Sequence, residues 1–294
     1  MSLRGEMAFM FTDILVPTDG SDHAKRALAH GAELARRYGG TLHLLQVVDV
    51  IRLGRVSAVP EERDAATETL EELEDEFGGE GLDVHTTVAE GAPDEEILEY
   101  ADEHNVDSIV MGTHGRTGLR RHVLGSVAEK VVRLSDVPVL TVGHVGDGDW
   151  EPYENVLVPT DGSEGAEAAV GPAVDIASTF DAQLHSLSVV DTSALGIDVR
   201  SSSIIDSLED RAESALEHVS ELADAGGVER SKGSLGYGNP YLTVLTYVEE
   251  HDIDLVVMGT HGRTGINRYL LGSVAEKLVR TSPAPVMTVR QPEE

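Results

Sequence analysis

The chain contains no cysteine, which excludes a disulfide framework and any thiolate metal site. No apolar run approaches the ~20 residues that a membrane span requires, and the start lacks the basic-then-apolar layout of a signal peptide. A cytoplasmic protein is therefore expected. Positive charge is scarce: 22 Lys and Arg face 53 Asp and Glu, a formal charge of −31 over 294 residues. Such a surface repels polyanions, so nucleic acid and anionic membranes are disfavoured as partners. The P-loop spacing is missing, as is Gly-x-Gly-x-x-Gly after the first strand-like run, and no Ser-His-Asp or metallohydrolase signature stands out.

Lysine is the scarcest of the common charges, present only at Lys25, Lys130, Lys232 and Lys277. An acidic chain whose bases are mostly arginine resembles proteins adapted to molar salt. There the Debye length falls to roughly 3 Å and self-repulsion is screened.

What the chain does have, it has twice. Gly112-Thr113-His114-Gly115-Arg116-Thr117-Gly118 through Arg133 returns 147 residues later as Gly259-Thr260-His261-Gly262-Arg263-Thr264-Gly265 through Arg280, with 17 of 22 positions identical. Ile14-Leu15-Val16-Pro17-Thr18-Asp19-Gly20-Ser21 returns 142 residues later as Val156 to Ser163, and Val47-Val48-Asp49 as Val189-Val190-Asp191. The chain is a duplicated domain, with about five extra residues in the middle of the second copy. The expected division is a leader (1–10), a first domain (11–143), a Gly-rich polar linker (144–152), a second domain (153–290) and a tail (291–294). Met7 and Met10 are alternative starts, so the leader carries no fold argument.

Each glycine loop follows a short apolar run and leads into a helix-like segment, Ser126 to Arg133 or Ser273 to Arg280. A strand, a glycine-spaced loop and a helix N-terminus aim unpaired N–H groups and a dipole at one point, which suits a phosphate. Charge follows the same pattern. Arg116, Arg120, Arg121, Lys130 and Arg133 face only Glu129, and Arg263, Arg268, Lys277 and Arg280 face only Glu276. An anion site is expected at each loop, the alternative being a solvated basic helix face.

Strand-like runs at Ile14 to Val16, Leu42 to Val48, Val84 to Val88, Ser108 to Met111 and Val137 to Thr141 alternate with helical periodicity at Asp22 to Tyr38, Pro60 to Phe77, Asp94 to His104 and Ser126 to Leu134. The second copy repeats the order with Val156 to Val158, Leu184 to Val190, Asp254 to Met258 and Val286 to Val289. Its third strand, near Val228 to Leu235, is interrupted by Arg230, Lys232 and Gly233. The alternation predicts an α/β fold class: two tandem doubly wound parallel-sheet, Rossmann-like domains, each with its ligand at the carboxyl ends of the strands.

These residues resemble the universal stress protein family in its tandem form. Nucleotide-binding members carry Gly, two residues, Gly, nine residues, Gly, then Ser or Thr. Gly112, Gly115, Gly125-Ser126 and Gly259, Gly262, Gly272-Ser273 fit that spacing. The resemblance implies an adenine nucleotide alpha hydrolase-like fold with strand order 3-2-1-4-5, an ATP site in each half, and pairing of domains along their fifth strands, with a homodimer a further option. It also implies roles. Asp19 and Asp161 bond ribose hydroxyls or help hold a phosphate-bound Mg2+, and main-chain groups near Val47 and Val189 read the adenine edge. Gly112 and Gly259 admit the ribose. Gly115, Gly125, Ser126 and Val127, with Gly262, Gly272, Ser273 and Val274, offer N–H groups to the triphosphate. Pro17, Thr18, Met111, Pro159, Thr160 and Met258 flank the ligand, and Arg116 and Arg263 clamp its outer phosphates.

Plainer readings stay open beside these. Asp19 and Asp161 shape a turn, Ser126 and Ser273 cap helices, and His114 and His261 are hydrogen-bonding loop residues rather than catalytic ones. Arg116 and Arg263 merely lift the local potential. Position 122 changes from His to Tyr269 and position 120 from Arg to Asn267, so neither serves a role common to both halves. Without a positioned base, a stress-response binding protein acting on an unidentified protein partner is expected, the alternatives being a slow ATPase or nucleotide hydrolase and a nucleotide-free dimerisation module.

Overall fold

The computed structural model describes residues 11–54, 56–79, 81–115, 124–143, 152–192, 202–262 and 271–291. Arg116, Arg120, Arg121, His122, Arg263, Asn267, Arg268 and Tyr269 lie outside them, as do the leader, residues 144–151 of the linker and 292–294 of the tail.

The first half runs β1 (Asp13–Pro17), α1 (Asp22–Tyr38), β2 (Thr41–Asp49), α2 (Val50–Leu53), a 3-10 turn (Val56–Ala58), α3 (Val59–Phe77), β3 (Asp83–Gly91), α4 (Pro93–Glu103), β4 (Ser108–Gly112), α5 (Ser126–Leu134) and β5 (Val139–Val142). Every pairing is parallel, in the order β3-β2-β1-β4-β5. The strands are nearly continuous apolar runs because helices cover both sheet faces. Ile14, Leu15 and Val16 have no exposed surface. Side chains alternate along β2. Leu42 lies under Gly31 of α1, beside Val16 and Val110, while His43 points to the other face and meets Tyr100 of α4.

The second half repeats the plan as β6 (Asn155–Pro159), α6 (Glu164–Glu167), α7 (Val170–Phe180), β7 (Gln183–Val190), α8 (Ser202–Gly226), β8 (Ser231–Tyr237), α9 (Pro240–Glu250), β9 (Leu255–Gly259), α10 (Ser273–Thr281) and β10 (Val286–Val289). Its order is β8-β7-β6-β9-β10, again parallel. Two tandem doubly wound domains are thus present, as the alternation of elements predicts.

Three local differences separate the halves. The helix that is continuous as α1 is split into α6 and α7, because Pro172 has no N–H to bond the carbonyl of Ala168 and crowds that turn. The added residues fall between β7 and β8, where α8 has 25 residues against 19 in α3. The doubtful third strand is real but begins later than expected, at Ser231. Val228 instead closes the turn after α8, its N–H donating to Ala223 O at 3.0 Å. Lys232 and Gly233 are tolerated because β8 pairs with β7 alone and is exposed along its first half.

Two polar devices tie each sheet together. Asp107, just before β4, accepts at Oδ2 from the N–H groups of Thr12 (2.9 Å) and Asp13 (3.0 Å) and from the Thr12 hydroxyl (2.8 Å). Asp254 does the same for Glu154 (2.9 Å) and Asn155 (2.8 Å). The other device is a buried imidazole. His43 Nδ1 lies 3.1 Å from the Tyr100 hydroxyl, and Tyr100 stacks on His104 at 3.8 Å. His185 Nδ1 lies 3.0 Å from the Tyr247 hydroxyl, and Tyr247 stacks on His251 at 3.8 Å. His43 Nε2 also meets Asp13 Oδ1 at 3.3 Å, whereas the matching position in the second half is Asn155, which donates to Asp252 O.

Candidate functional site

At the carboxyl end of β1 the chain makes a tight turn. Thr18 is buried, its N–H donates to Leu45 O (2.8 Å), and its hydroxyl accepts from Gly20 N–H (3.2 Å). Thr160 repeats this with Leu187 (2.9 Å) and Gly162 (3.2 Å). Asp19 Oδ1 then accepts from Ser21 N–H at 3.0 Å, and Asp161 Oδ1 accepts from Ser163 N–H at 3.1 Å and from its hydroxyl at 2.6 Å. Ser21 and Ser163 cap the helices that follow.

One carboxylate oxygen therefore shapes the turn, as the plainer reading holds. The other points at the glycine loop. A Cβ added at Gly115 would lie 2.5 Å from Asp19 Oδ2, and one added at Gly262 would lie 2.9 Å from Asp161 Oδ2. Any side chain at those positions displaces the carboxylate. The two motifs that the sequence presents a hundred residues apart are thus in contact, in both halves, at the switch point of the strand order.

The loop itself is pinned by a residue outside the expected set. Thr113 is buried, its N–H donates to Val142 O (3.0 Å) and its carbonyl accepts from Gly125 N–H (2.8 Å). Thr260 is held likewise by Val289 (2.9 Å) and Gly272 (2.8 Å). The N–H groups of Gly125 and Gly272, expected to serve a triphosphate, instead close the loop. Their identity in both copies is the signal for Thr113 and Thr260. The same threonine hydroxyls sit 3.0 Å from His114 Nδ1 and His261 Nδ1, which places both histidines in the loop's own hydrogen bonding.

Ser126 and Ser273 are not caps. The N-caps are Gly125 and Gly272, neither of which supplies a side-chain bond. The first helical bonds run from Glu129 N–H to Gly125 O (2.9 Å) and from Glu276 N–H to Gly272 O (2.8 Å). The N–H groups of Ser126, Val127 and Ala128, and of Ser273, Val274 and Ala275, precede them in the first turn, where the two serines are exposed and the two alanines buried. By contrast α9 is capped by Asn239, and proline stands second in α3 and first in α4.

The basic residues divide. Lys130 Nζ donates to Asp94 Oδ2 at 2.7 Å, across α4 and α5. Lys277 lies 5.3 Å from the ring centre of Tyr241, across α9 and α10, and Arg280 pairs with Glu276 at 3.1 Å. These three serve helix contacts. Val47 and Val189 are half-buried near the carboxyl ends of β2 and β7, and Met111 and Met258 are buried at the ends of β4 and β9. Pro17 and Pro159 close β1 and β6. Among the described residues no group of three or more His, Asp or Glu is placed to hold a metal ion. Asp19 and Asp161 fit Mg2+ only as single carboxylates sharing an ion with a phosphate.

Among the described residues no helix is long and apolar enough to cross a membrane. A universal stress protein of Methanocaldococcus jannaschii is 36% identical over 143 residues, covering 45% of this chain and 82% of that relative. One from Bacillus subtilis is 35% identical over 147 residues, covering 45% of this chain and 99% of its own length. The solved structure of a universal stress protein from Archaeoglobus fulgidus superposes with a TM-score of 0.76, covering 98% of this chain and 99% of that one, at 24% identity, which speaks for the fold. The family's sequence model matches at residues 10–143 and again at 152–290. Since that match accounts for both halves, the chain belongs to the universal stress protein family.

Proposed function

We propose that each half binds one adenine nucleotide, ATP with Mg2+ in the first instance, and that the chain acts as a nucleotide-dependent stress-response binding protein. The observation that carries this is the twice-built contact between an aspartate oxygen and the glycine loop, next to a helix whose first-turn N–H groups have no side-chain cap. The carboxylate oxygen suits ribose hydroxyls or a phosphate-bound divalent ion. The main-chain donors of Ser126 and Val127, or Ser273 and Val274, suit phosphate oxygens. Val47 and Val189 suit the adenine edge. Arg116 and Arg263 are assigned to the outer phosphates by their place in the loop. The bodies carrying the two sites are taken as 11–143 and 153–290, joined by 144–152. The excess of acid over base supports a cytoplasm of high salt as the setting.

Binding rather than turnover fits the placement of His114 and His261, each engaged by a threonine hydroxyl. Nucleotide at a hundred times its dissociation constant would stabilise each half by ~2.7 kcal/mol, enough to order a loop that a protein partner reads. The test is calorimetric titration with ATP in molar KCl and Mg2+, on protein unfolded and refolded to strip carried-over nucleotide. Two sites per chain are expected, and absence of binding in a folded sample would refute the reading.

A further inference from the structure

The two halves finish their sheets differently. Among the described residues β3 pairs with β2 alone and β8 with β7 alone, so each presents an outer edge. Charge guards the edge of the first half. Asp83, His85 and Glu90 are exposed on β3, and Asp94, Glu95 and Glu96 follow in the first turn of α4. Such charges keep a further strand from adding to a sheet. At the matching positions, 147 residues on, the second half has Arg230, Lys232, Tyr237, Tyr241, Leu242 and Thr243. Every carboxylate of the set is gone, and Tyr237 and Leu242 are 53% and 57% exposed. In a chain of charge −31, residues 228–245 hold only Glu229 against Arg230 and Lys232.

The backbone of this edge is also open to pairing. β8 contains no proline, and its register with β7 runs from Leu184↔Ser231 to Val190↔Tyr237 without a bulge. Even-numbered residues bond β7: Arg230 O accepts from Leu184 N–H at 2.8 Å, and Gly238 N–H donates to Val190 O at 3.1 Å. The alternate residues Ser231, Gly233, Leu235 and Tyr237 therefore turn their N–H and C=O groups outward.

We propose that the β8 edge is the contact surface for a second copy of this chain, the two β8 strands pairing antiparallel about a two-fold axis at Ser234. That register opposes Tyr237 to Ser231 and Leu235 to Gly233 as hydrogen-bonded pairs, and Lys232 to Gly236 as a non-hydrogen-bonded pair. Each large side chain meets a serine or a glycine, which is the self-complementarity that a two-fold contact demands. The pleat keeps the faces consistent. Gly233 and Tyr237 lie toward Leu216 and Glu209 of α8, and Gly236 lies under Thr243 of α9. The stem of Lys232 from the second copy thus reaches the first turn of α9, where Leu242 is exposed. Charge points to the same occupant. Two copies of this acidic chain repel, but the β8 register sets no carboxylate against another, whereas the same contact through β3 would press Asp83 and Glu90 into it. Molar salt shortens the Debye length to roughly 3 Å and removes the remaining long-range repulsion.

The test is sedimentation equilibrium of the full chain over a series of protein concentrations, in dilute and in molar KCl. The mass should move from that of one chain towards that of two as KCl rises. Gly233→Pro removes an outward N–H at a position where an edge strand tolerates proline, and it should return the mass to that of one chain. Ser231→Glu, an exposed change that restores a guarding charge, should do the same and reads the edge if the proline variant does not fold. Register is read by cross-linking in a chain that has no cysteine of its own. Ser234→Cys should form a disulfide-linked dimer with oxidised glutathione, because a non-hydrogen-bonded pair brings its Cα atoms to ~4.5 Å, within the span of a disulfide. Ser231→Cys, about 20 Å from its counterpart in that register, should not. A chain that stays monomeric in molar KCl would overturn the proposal and leave the edge to a strand of another protein. A dimer that survives both edge variants, or cross-links at Ser231 and not at Ser234, would overturn it too.

Discussion

His185 is buried at 4% exposure between β7 and α9, and burial pushes its pKa down from 6.5 to about 4, with the charges of Lys232 and His251 adding to the effect. The groups around it are the Tyr247 hydroxyl at Nδ1, Ser234, which shares that hydroxyl at 3.1 Å, the His251 ring at 5.8 Å, and Lys232. No carboxylate faces it among the described contacts. Because the folded pKa lies below the unfolded one, the unfolded chain binds the proton first. Stability from this group is complete above about pH 6.5, falls as pH drops towards about 4, and changes little below that. Between about pH 7 and about pH 5 the linkage integral for these two pKa values is about 2 kcal/mol.

The first half contains its own control. His43 is also lowered by burial, but Asp13 opposes the shift through a hydrogen bond and its charge. Asn155 occupies the place of Asp13, at the same register relative to the histidine strand. Asn155→Asp should therefore raise the His185 pKa and recover part of the loss in acid, while His185→Gln should remove the term. The assay is denaturant unfolding of the second-half transition at about pH 7 and about pH 5 with ionic strength fixed, read as wild type minus variant so that other groups, including His30, lowered to about 4 by burial, cancel. An NMR titration of the His185 ring gives its pKa directly. A ring that titrates near 6.5, or a His185→Gln variant with the wild-type pH dependence, would refute the reasoning.

Gly115→Val or Gly262→Val should displace the facing aspartate oxygen and abolish the ATP-induced rise in melting temperature of that half, with a change below about 1 kcal/mol without ligand because both glycines are exposed. Differential scanning calorimetry with and without ATP checks it. Asp94→Ala should cost about 1 kcal/mol or less in dilute salt and less in molar KCl, since Lys130 is half-exposed and screened. Tyr241→Leu should cost about as much at both concentrations, because much of what it removes is ring packing beneath Lys277; denaturation series in dilute and molar KCl compare the two. Asp254→Ala should destabilise the second half by about 2 kcal/mol by orphaning two backbone donors at the start of β6, whereas Asp254→Asn, which keeps one acceptor, should cost less; urea unfolding distinguishes them.

How much of this was legible follows from which interactions are local. The alternation of apolar runs and helical periodicity predicts five strands and a parallel sheet in each half because burial on both faces leaves strands that read as Val-Ile-Leu runs. β8 is the instructive case: an edge strand buries little, so Lys232 and Gly233 cost it nothing and the apolar signal weakens. The glycine spacing pointed to the loop, yet it could not reveal that Gly115 stands against Asp19, a contact made by the order of the strands and not by any adjacent residue. Nor could it separate the donors. Gly125, Ser126 and Val127 look alike in a motif, but the fold uses the first N–H to close the loop on Thr113 and leaves the other two in the helix's first turn.

Duplication sharpened the reading where the copies agree and hid the chemistry where they differ. An identical Thr-His-Gly in both loops marks a shared scaffold, while His23 against Gly165 and Asp13 against Asn155 look like surface drift in the sequence. Each of these exchanges changes a tertiary contact: what the glycine loop meets in one case, and whether a buried imidazole has a carboxylate in the other. Two copies of one fold can therefore differ in acid sensitivity without any change in the motif that names them. Positions that break the repeat beside an unchanged motif are where the two halves have room to acquire separate roles.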